Sequence, residues 1–218
     1  MAKIRVLLAE DHTIVRKGLR ALLDGQAGIE VIAEAEDGRQ AVRLAEQLRP
    51  DVVLMDFSMP GLNGLEATRQ IAERVPGARV VVLTRHTNQE YAERILKAGA
   101  SGYLVKKSAP EELIIAIQAV YRGDSYLDPA ITTNILHAYL KKSSPVGQDR
   151  FDNLTPRQRE VLQLIAEGHA NREIAALLNV SIKTVESHRA AIMDALELHS
   201  TAELTQYAIR KGMISLDE

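Results

Sequence analysis

Between Ile4 and Tyr121 the chain alternates five times between a short apolar or β-branched run and a longer stretch with apolar residues at helical spacing. The runs Ile4 to Ala9, Val31 to Ala35, Val52 to Asp56, Val80 to Thr84 and Gly102 to Val105 read as strands. After the first comes a helical face of Ile14, Val15, Leu19, Leu22 and Leu23, with Gly25 beyond its end. The later helices are predicted over Gln40 to Leu48, Leu65 to Val75, Glu90 to Ala98 and Pro110 to Tyr121. Five strands, each followed by a helix, predict a parallel sheet covered on both faces and joined by right-handed crossovers. The result is a doubly wound α/β domain ending near Gly123.

Within it, the stretch from Arg49 to Gly64 places a carboxylate where a strand stops. Val52 to Met55 form a buried run, Asp56 follows at once, and Pro60-Gly61 turns the chain. In open α/β sheets the carboxyl ends of the strands are where ligands bind. The same edge collects Glu10 and Asp11 after the first strand, Thr84 after the fourth and Lys106 after the fifth. Clustered carboxylates repel and call for a cation, and hard oxygen ligands with room for waters suit Mg²⁺. Lys106 supplies a fixed charge that can pair Asp56 at rest and a phosphoryl oxygen later, and Thr84 supplies a hydroxyl donor. This is equipment for phosphoryl transfer to a carboxylate. Singly, each residue is as well explained as a turn-former, a cap or a solvated lysine; together and in this order they are not.

Glu10-Asp11, Asp56 with Met59-Pro60-Gly61, Thr84, and Lys106 preceded by Ala98-Gly99-Ala100 and Gly102-Tyr103-Leu104 resemble the receiver domain of two-component response regulators, over all of Ile4 to Gly123. The resemblance implies a flavodoxin-like sheet with Asp56 as phospho-acceptor for a sensor histidine kinase. It also implies Mg²⁺ held by Glu10, Asp11, Asp56 and the main-chain carbonyl of Ser58. Thr84 and Lys106 become the residues that sense the phosphoryl group, and Tyr103 the aromatic whose rotamer follows it.

Past the domain, residues 125–150 read as a linker with one helix. Asp128, Pro129, Ile131, Ile135, Leu136 and Leu140 carry the helical pattern, and Lys141 to Gln148 form a connector without apolar anchors. Residues 151–218 are all helical. Thr155, Pro156 and Gln158 make a capping box with proline at the first helical position, and Val161, Leu162, Ile165 and Ala166 form a buried stripe. A short second helix begins near Asn171. After the turn Asn179-Val180-Ser181, a third is predicted with Ile182, Val185, Ile192 and Leu196 inward; a fourth runs from Ser200 to Lys211-Gly212. Two helices joined by about three residues form a helix-turn-helix.

Leu154-Thr155-Pro156-Arg157, Glu160-Val161-Leu162, Gly168, Asn171, Glu173-Ile174-Ala175, Ser181, Lys183-Thr184-Val185 and His188-Arg189 resemble the LuxR-type DNA-binding domain. With a receiver ahead of it, the whole chain is similar to NarL/FixJ-type transcriptional regulators. Their third helix enters the major groove of promoter DNA and their fourth mediates dimerisation, so the resemblance implies a homodimer when phosphorylated, with RNA polymerase as a further partner. The implied DNA-contacting set is Ser181, Lys183, Thr184, Glu186, Ser187, His188 and Arg189. Charge runs against this: residues 151–218 carry seven basic and ten acidic side chains, a balance of −3, where DNA-binding modules are ordinarily basic. Glu186 stands where family members often carry lysine, and Asp194 and Ala195 stand where basic residues are common.

The full chain is near neutral at −2 and has no cysteine, which removes thiol chemistry and fits a reducing compartment. With neither a signal segment nor a long apolar span, the expectation is a cytoplasmic protein with no membrane contact. An enzyme acting on nucleotides is disfavoured, since neither a Gly-x-Gly-x-x-Gly fingerprint nor a Walker lysine loop follows the first strand. The reading is a regulator rather than an enzyme.

Overall fold

The structure, a computed structural model, describes residues 3–85, 89–132 and 150–214. It divides into two compact units, Met1–Ser143 and Ser144–Glu218.

In the first, β1 (Ile4–Ala9), β2 (Ile29–Ala35), β3 (Val52–Asp56), β4 (Arg79–Thr84) and β5 (Gly102–Val105) alternate with five helices: α1 (Thr13–Asp24), α2 (Gly38–Leu48), α3 (Gly64–Arg74), α4 (Gln89–Lys97) and α5 (Pro110–Tyr121). All strand pairs are parallel, in the order β2-β1-β3-β4-β5-β6, where β6 is the short run Tyr126–Leu127. Successive strand residues face opposite sides of the sheet. Leu7, Val53, Met55, Val80, Val82 and Tyr103 therefore pack with α2, α3 and α4, while Val6, Leu8, Leu54, Val81 and Leu104 pack with Leu23 of α1 and Leu113, Ile117 and Val120 of α5. Both faces are covered, which explains why the strands read as unbroken apolar runs instead of alternating ones.

The sequence predicts five strands; the sheet has a sixth, β6 (Tyr126–Leu127), paired with β5 as Gly102↔Tyr126 and Tyr103↔Leu127. Two residues are too short to show any periodicity, and β6 forms because it covers the otherwise open edge of β5. A helical turn over 129–132 follows, with Ile131 fully buried against the first face of the sheet. The predicted continuation through Ile135, Leu136 and Leu140, and the connector Lys141 to Gln148, lie outside the described residues.

The second unit opens with a 3-10 turn (Arg150–Asn153), followed by α6 (Pro156–Ala166), α7 (Asn171–Leu178), α8 (Ile182–Leu196) and α9 (Thr201–Arg210). The capping box at α6 is closed in both directions: the Gln158 amide donates to Thr155 Oγ1 at 3.2 Å and the Thr155 amide donates to Gln158 Oε1 at 2.8 Å. Ser181 and Ser200 cap α8 and α9, their hydroxyls accepting from the Thr184 and Glu203 amides. Val161, Leu162, Ile174, Leu178, Val185, Ile192, Leu196 and Leu204 close the core. Ile182 departs from the predicted inward stripe and is 46% exposed. It opens α8, one turn before Val185.

One close approach ties the sheet to its loops. A Cβ on Gly64 would lie 2.0 Å from the Asp56 carbonyl oxygen and 2.9 Å from the Phe57 Cα. Gly64→Ala should therefore destabilise the first unit by about 1–3 kcal/mol in urea denaturation. Gly18→Ala, with nothing within 4 Å of its Cβ, should cost no stability; equal losses for the two would remove the steric cause.

Candidate functional site: an acidic strand-end pocket and a helix-turn-helix

Three strand ends converge on one ammonium group. Glu10 follows β1, its amide donating to the Ala35 carbonyl. Asp56 closes β3, and Lys106 follows β5 with its amide donating to the Thr84 carbonyl at 2.7 Å. Because β1, β3, β4 and β5 are adjacent and parallel, their carboxyl ends point the same way. Lys106 Nζ accordingly lies 2.8 Å from Glu10 Oε2 and 2.8 Å from Asp56 Oδ2. Glu10 is fully buried and Asp56 is 2% exposed. Burial pushes the Asp56 carboxyl upward, Lys106 opposes the shift, and the Glu10 charge adds to it. The group ends well above the ordinary carboxylate range.

Around this core the predicted residues are brought together. Asp11 lies beside Glu10, and together with His12 and Asp56 these residues offer ligand atoms all within 4.8 Å of one another. The Ser58 amide donates to Asp56 Oδ1 at 3.3 Å. Thr84 is buried at the end of β4. Tyr103 is completely buried and hydrogen-bonded to the Thr84 side chain, and burial pushes its phenol up to about 12. An open cleft lined by Arg85, Val105, Lys106 and Lys107 adjoins the site.

Two neighbours escaped the sequence reading. His12 Nδ1 lies 2.8 Å from Asp11 Oδ1 and 3.3 Å from Glu10 Oε1. Arg16, buried in α1, donates to the Glu10 carbonyl at 2.7 Å and the Asp11 carbonyl at 3.2 Å, and pairs Glu36 at 2.6 Å and Glu34 at 3.3 Å. It holds the backbone of the acidic loop in place from below. Only the Glu34 and Glu36 carboxylates, about twenty residues away, could have signalled it.

In the second unit, residues 179–181 join α7 to α8, and Asn179 takes the left-handed conformation at φ 52°. Ser181, Lys183, Glu186, Ser187 and Ala190 are exposed, whereas Thr184, His188 and Arg189 are half-buried. The Arg189 guanidinium donates to the Thr201 hydroxyl at the start of α9.

The raised Asp56 carboxyl has a consequence for stability. The native state keeps this proton over a range where the unfolded chain, with its ordinary value of 3.8, has lost it. The stability contributed by this group therefore falls as pH rises from about 4 to about 7. In metal-free buffer, urea denaturation of Asp56→Asn should show a flatter stability profile than wild type across that window. An equally steep profile would assign the pH dependence to other groups.

Residues 6–118 match the family described as the response regulator receiver domain, and residues 152–208 match the bacterial regulatory proteins of the luxR family. The chain is 40% identical over 215 residues to the oxygen regulatory protein NreC of Staphylococcus carnosus, covering 97% of this chain and 99% of that one. Among solved structures, a LuxR-family two-component response regulator from Aurantimonas sp. aligns with TM-score 0.61 and 40% identity, over 64% of this chain and 99% of its own. A structure of two RcsB dimers bound to two parallel DNAs aligns with TM-score 0.58 and 28% identity, over 94% of this chain and 97% of its own. A receiver sheet with its acidic strand-end pocket, followed by a four-helix unit with a helix-turn-helix, accounts for both matches: the chain belongs to the LuxR-family two-component response regulators.

Proposed function

We propose that Asp56 accepts a phosphoryl group from a sensor histidine kinase and that this switches the chain's binding to promoter DNA. The observation that carries the assignment is the Lys106 ammonium at 2.8 Å from both Asp56 and Glu10. An Asp56 carboxylate oxygen attacks phosphorus, the bond to the donor's imidazole nitrogen breaks, and that nitrogen keeps the electron pair and takes a proton. Lys106 then exchanges carboxylate for phosphoryl oxygen, and Thr84 donates its hydroxyl to another. Because Tyr103 is bonded to Thr84, its ring registers what Thr84 does.

Glu10, Asp11, Asp56 and the Ser58 carbonyl would hold Mg²⁺. The donor set is of hard oxygens, and Glu10, Asp11 and Asp56 each bring a carboxylate oxygen within 4.8 Å of the others. When bound, the ion neutralises charge on the transferring group. At roughly one hundred times its dissociation constant, a ligand of the folded state alone adds about 2.7 kcal/mol. Mg²⁺ should thus raise the melting temperature of wild type but not of Asp56→Asn. Acetyl phosphate with Mg²⁺ should add one acid-labile phosphoryl group by intact mass to wild type and none to Asp56→Asn; undiminished labelling of the variant would remove Asp56 from its role.

Phosphorylation favours a homodimer on this reading, since two half-sites need two recognition helices related by a two-fold axis. The RcsB relative is described as dimers on DNA. RNA polymerase is a further partner, and the place of action is the cytoplasm; among the described residues no helix is long and apolar enough to cross a membrane.

In the DNA complex α8 lies in the major groove, with Lys183 on phosphate and Ser181 and Thr184 fixing the helix N-terminus. His188 lies beside the groove face, and Arg189, bonded to Thr201, braces α8 against α9. Glu186 is exposed and cannot approach phosphate without repulsion, so it either points away from the duplex or accepts from a cytosine amino group. Selection from randomised duplexes should show Glu186→Ala losing about 1–3 kcal/mol of preference at one base position, and Lys183→Ala weakening all sequences alike. An unchanged base preference for Glu186→Ala would leave specificity to Ser187, Ala190 and DNA shape.

A further inference from the structure

Asp128 lies where the chain leaves the receiver, yet it is only 2% exposed. Its Oδ2 accepts from the Val105 amide at 3.0 Å and the Ser108 hydroxyl at 2.5 Å; its Oδ1 accepts from the Ala130 amide at 2.8 Å. Its backbone is committed as well. The Asp128 amide donates to the Tyr103 carbonyl at 2.9 Å, and its carbonyl accepts from the Ile131 and Thr132 amides at 3.0 and 3.1 Å. One residue thus grips both flanks of Lys106-Lys107, the backbone of Tyr103 and the first turn of the departing segment.

A buried carboxylate is tolerated only when donors satisfy it. Burial alone would push the Asp128 carboxyl up; the Ser108 hydroxyl and the Val105 and Ala130 amides, with Lys107 nearby, more than offset it and hold the group below its ordinary value. The carboxylate is therefore firmly held in its charged form. Since Oδ2 is shared between donors on either side of Lys106, the loop cannot shift without drawing Asp128 along or breaking these bonds. Ala130 hangs on the other oxygen, so the turn over 129–132 follows.

We infer that Asp128 is a positioning residue that couples the Lys106 loop to the segment leaving the receiver, and so conveys the state of Asp56 to the DNA-binding unit. The inference rests on the phosphorylation reading above. In the sequence Asp128 stands only at the head of a helical pattern; the three donors to its carboxylate single it out.

The test uses the full chain, phosphorylated and unphosphorylated, on a duplex selected with wild type from the randomised pool. Label at Asp56 is measured by intact mass and affinity by fluorescence anisotropy. Coupling free energies between sites ordinarily correspond to about 5- to 150-fold in affinity, and wild type should show a gain on that order when phosphorylated. Asp128→Ala should take the label as wild type does while its gain falls to near one-fold. Ser108→Ala, which removes one donor and leaves the carboxylate in place, should fold normally and show a reduced gain. Full gain in Ser108→Ala, or in a folded Asp128→Ala, overturns the inference. Failure of wild type to take any label overturns instead the assignment of Asp56.

Discussion

Everything in the receiver depends on one ammonium group placed between two buried carboxylates. Glu10 and Asp56 would repel each other at the strand ends, in a setting where the effective dielectric is far below that of water. Lys106 reconciles them at 2.8 Å from each. No local feature puts it there. Lys106 is ninety-six residues from Glu10 in the chain, and the two meet because β1, β3, β4 and β5 are adjacent parallel strands whose ends finish level. The apolar sheet acts as a frame for a charge constellation that no short peptide could hold. On the proposed reading this also makes the constellation switchable: a phosphoryl group added to Asp56 competes directly for the same ammonium, so a local change in charge alters what binds the end of β5.

How much of this was legible in the sequence follows from the range over which each feature acts. The five strands and their helices announce themselves through apolar runs and 3.6-residue spacing, and Asp56, Glu10, Asp11, Thr84 and Lys106 become visible once each is placed at a strand end. The caps at Thr155, Ser181 and Ser200 are equally local, each closing within three residues. What escaped is what depends on distant partners. Arg16 is defined by Glu34, Glu36 and two loop carbonyls, and β6 by the open edge of β5. Ile182 shows the opposite failure. Its spacing fits the buried stripe, but at the first position of α8 it is 46% exposed, so periodicity counts a residue that packing does not bury.

The second unit inverts the usual electrostatics of its class. Its balance of −3 leaves little long-range attraction to DNA, and the two strongest cations of α8 are used differently: Lys183 is exposed, while Arg189 is bonded to Thr201 of the neighbouring helix. Fewer phosphates neutralised means both a lower affinity and a shallower salt dependence.

On the proposed reading, weak binding by the unmodified chain is what makes control by the receiver effective. A coupling on the order of 1–3 kcal/mol shifts occupancy substantially only when the unmodified chain sits below half-saturation; a strongly basic domain would hold DNA in both states and leave phosphorylation nothing to change. On the proposed reading, two copies acting together supply affinity that one acidic domain lacks, because the second contact is made at a high effective concentration once the first is in place. The acidity of residues 151–218 and the buried charge pocket of residues 4–121 are then parts of one design: the first sets the resting affinity low, and the second decides when it is raised.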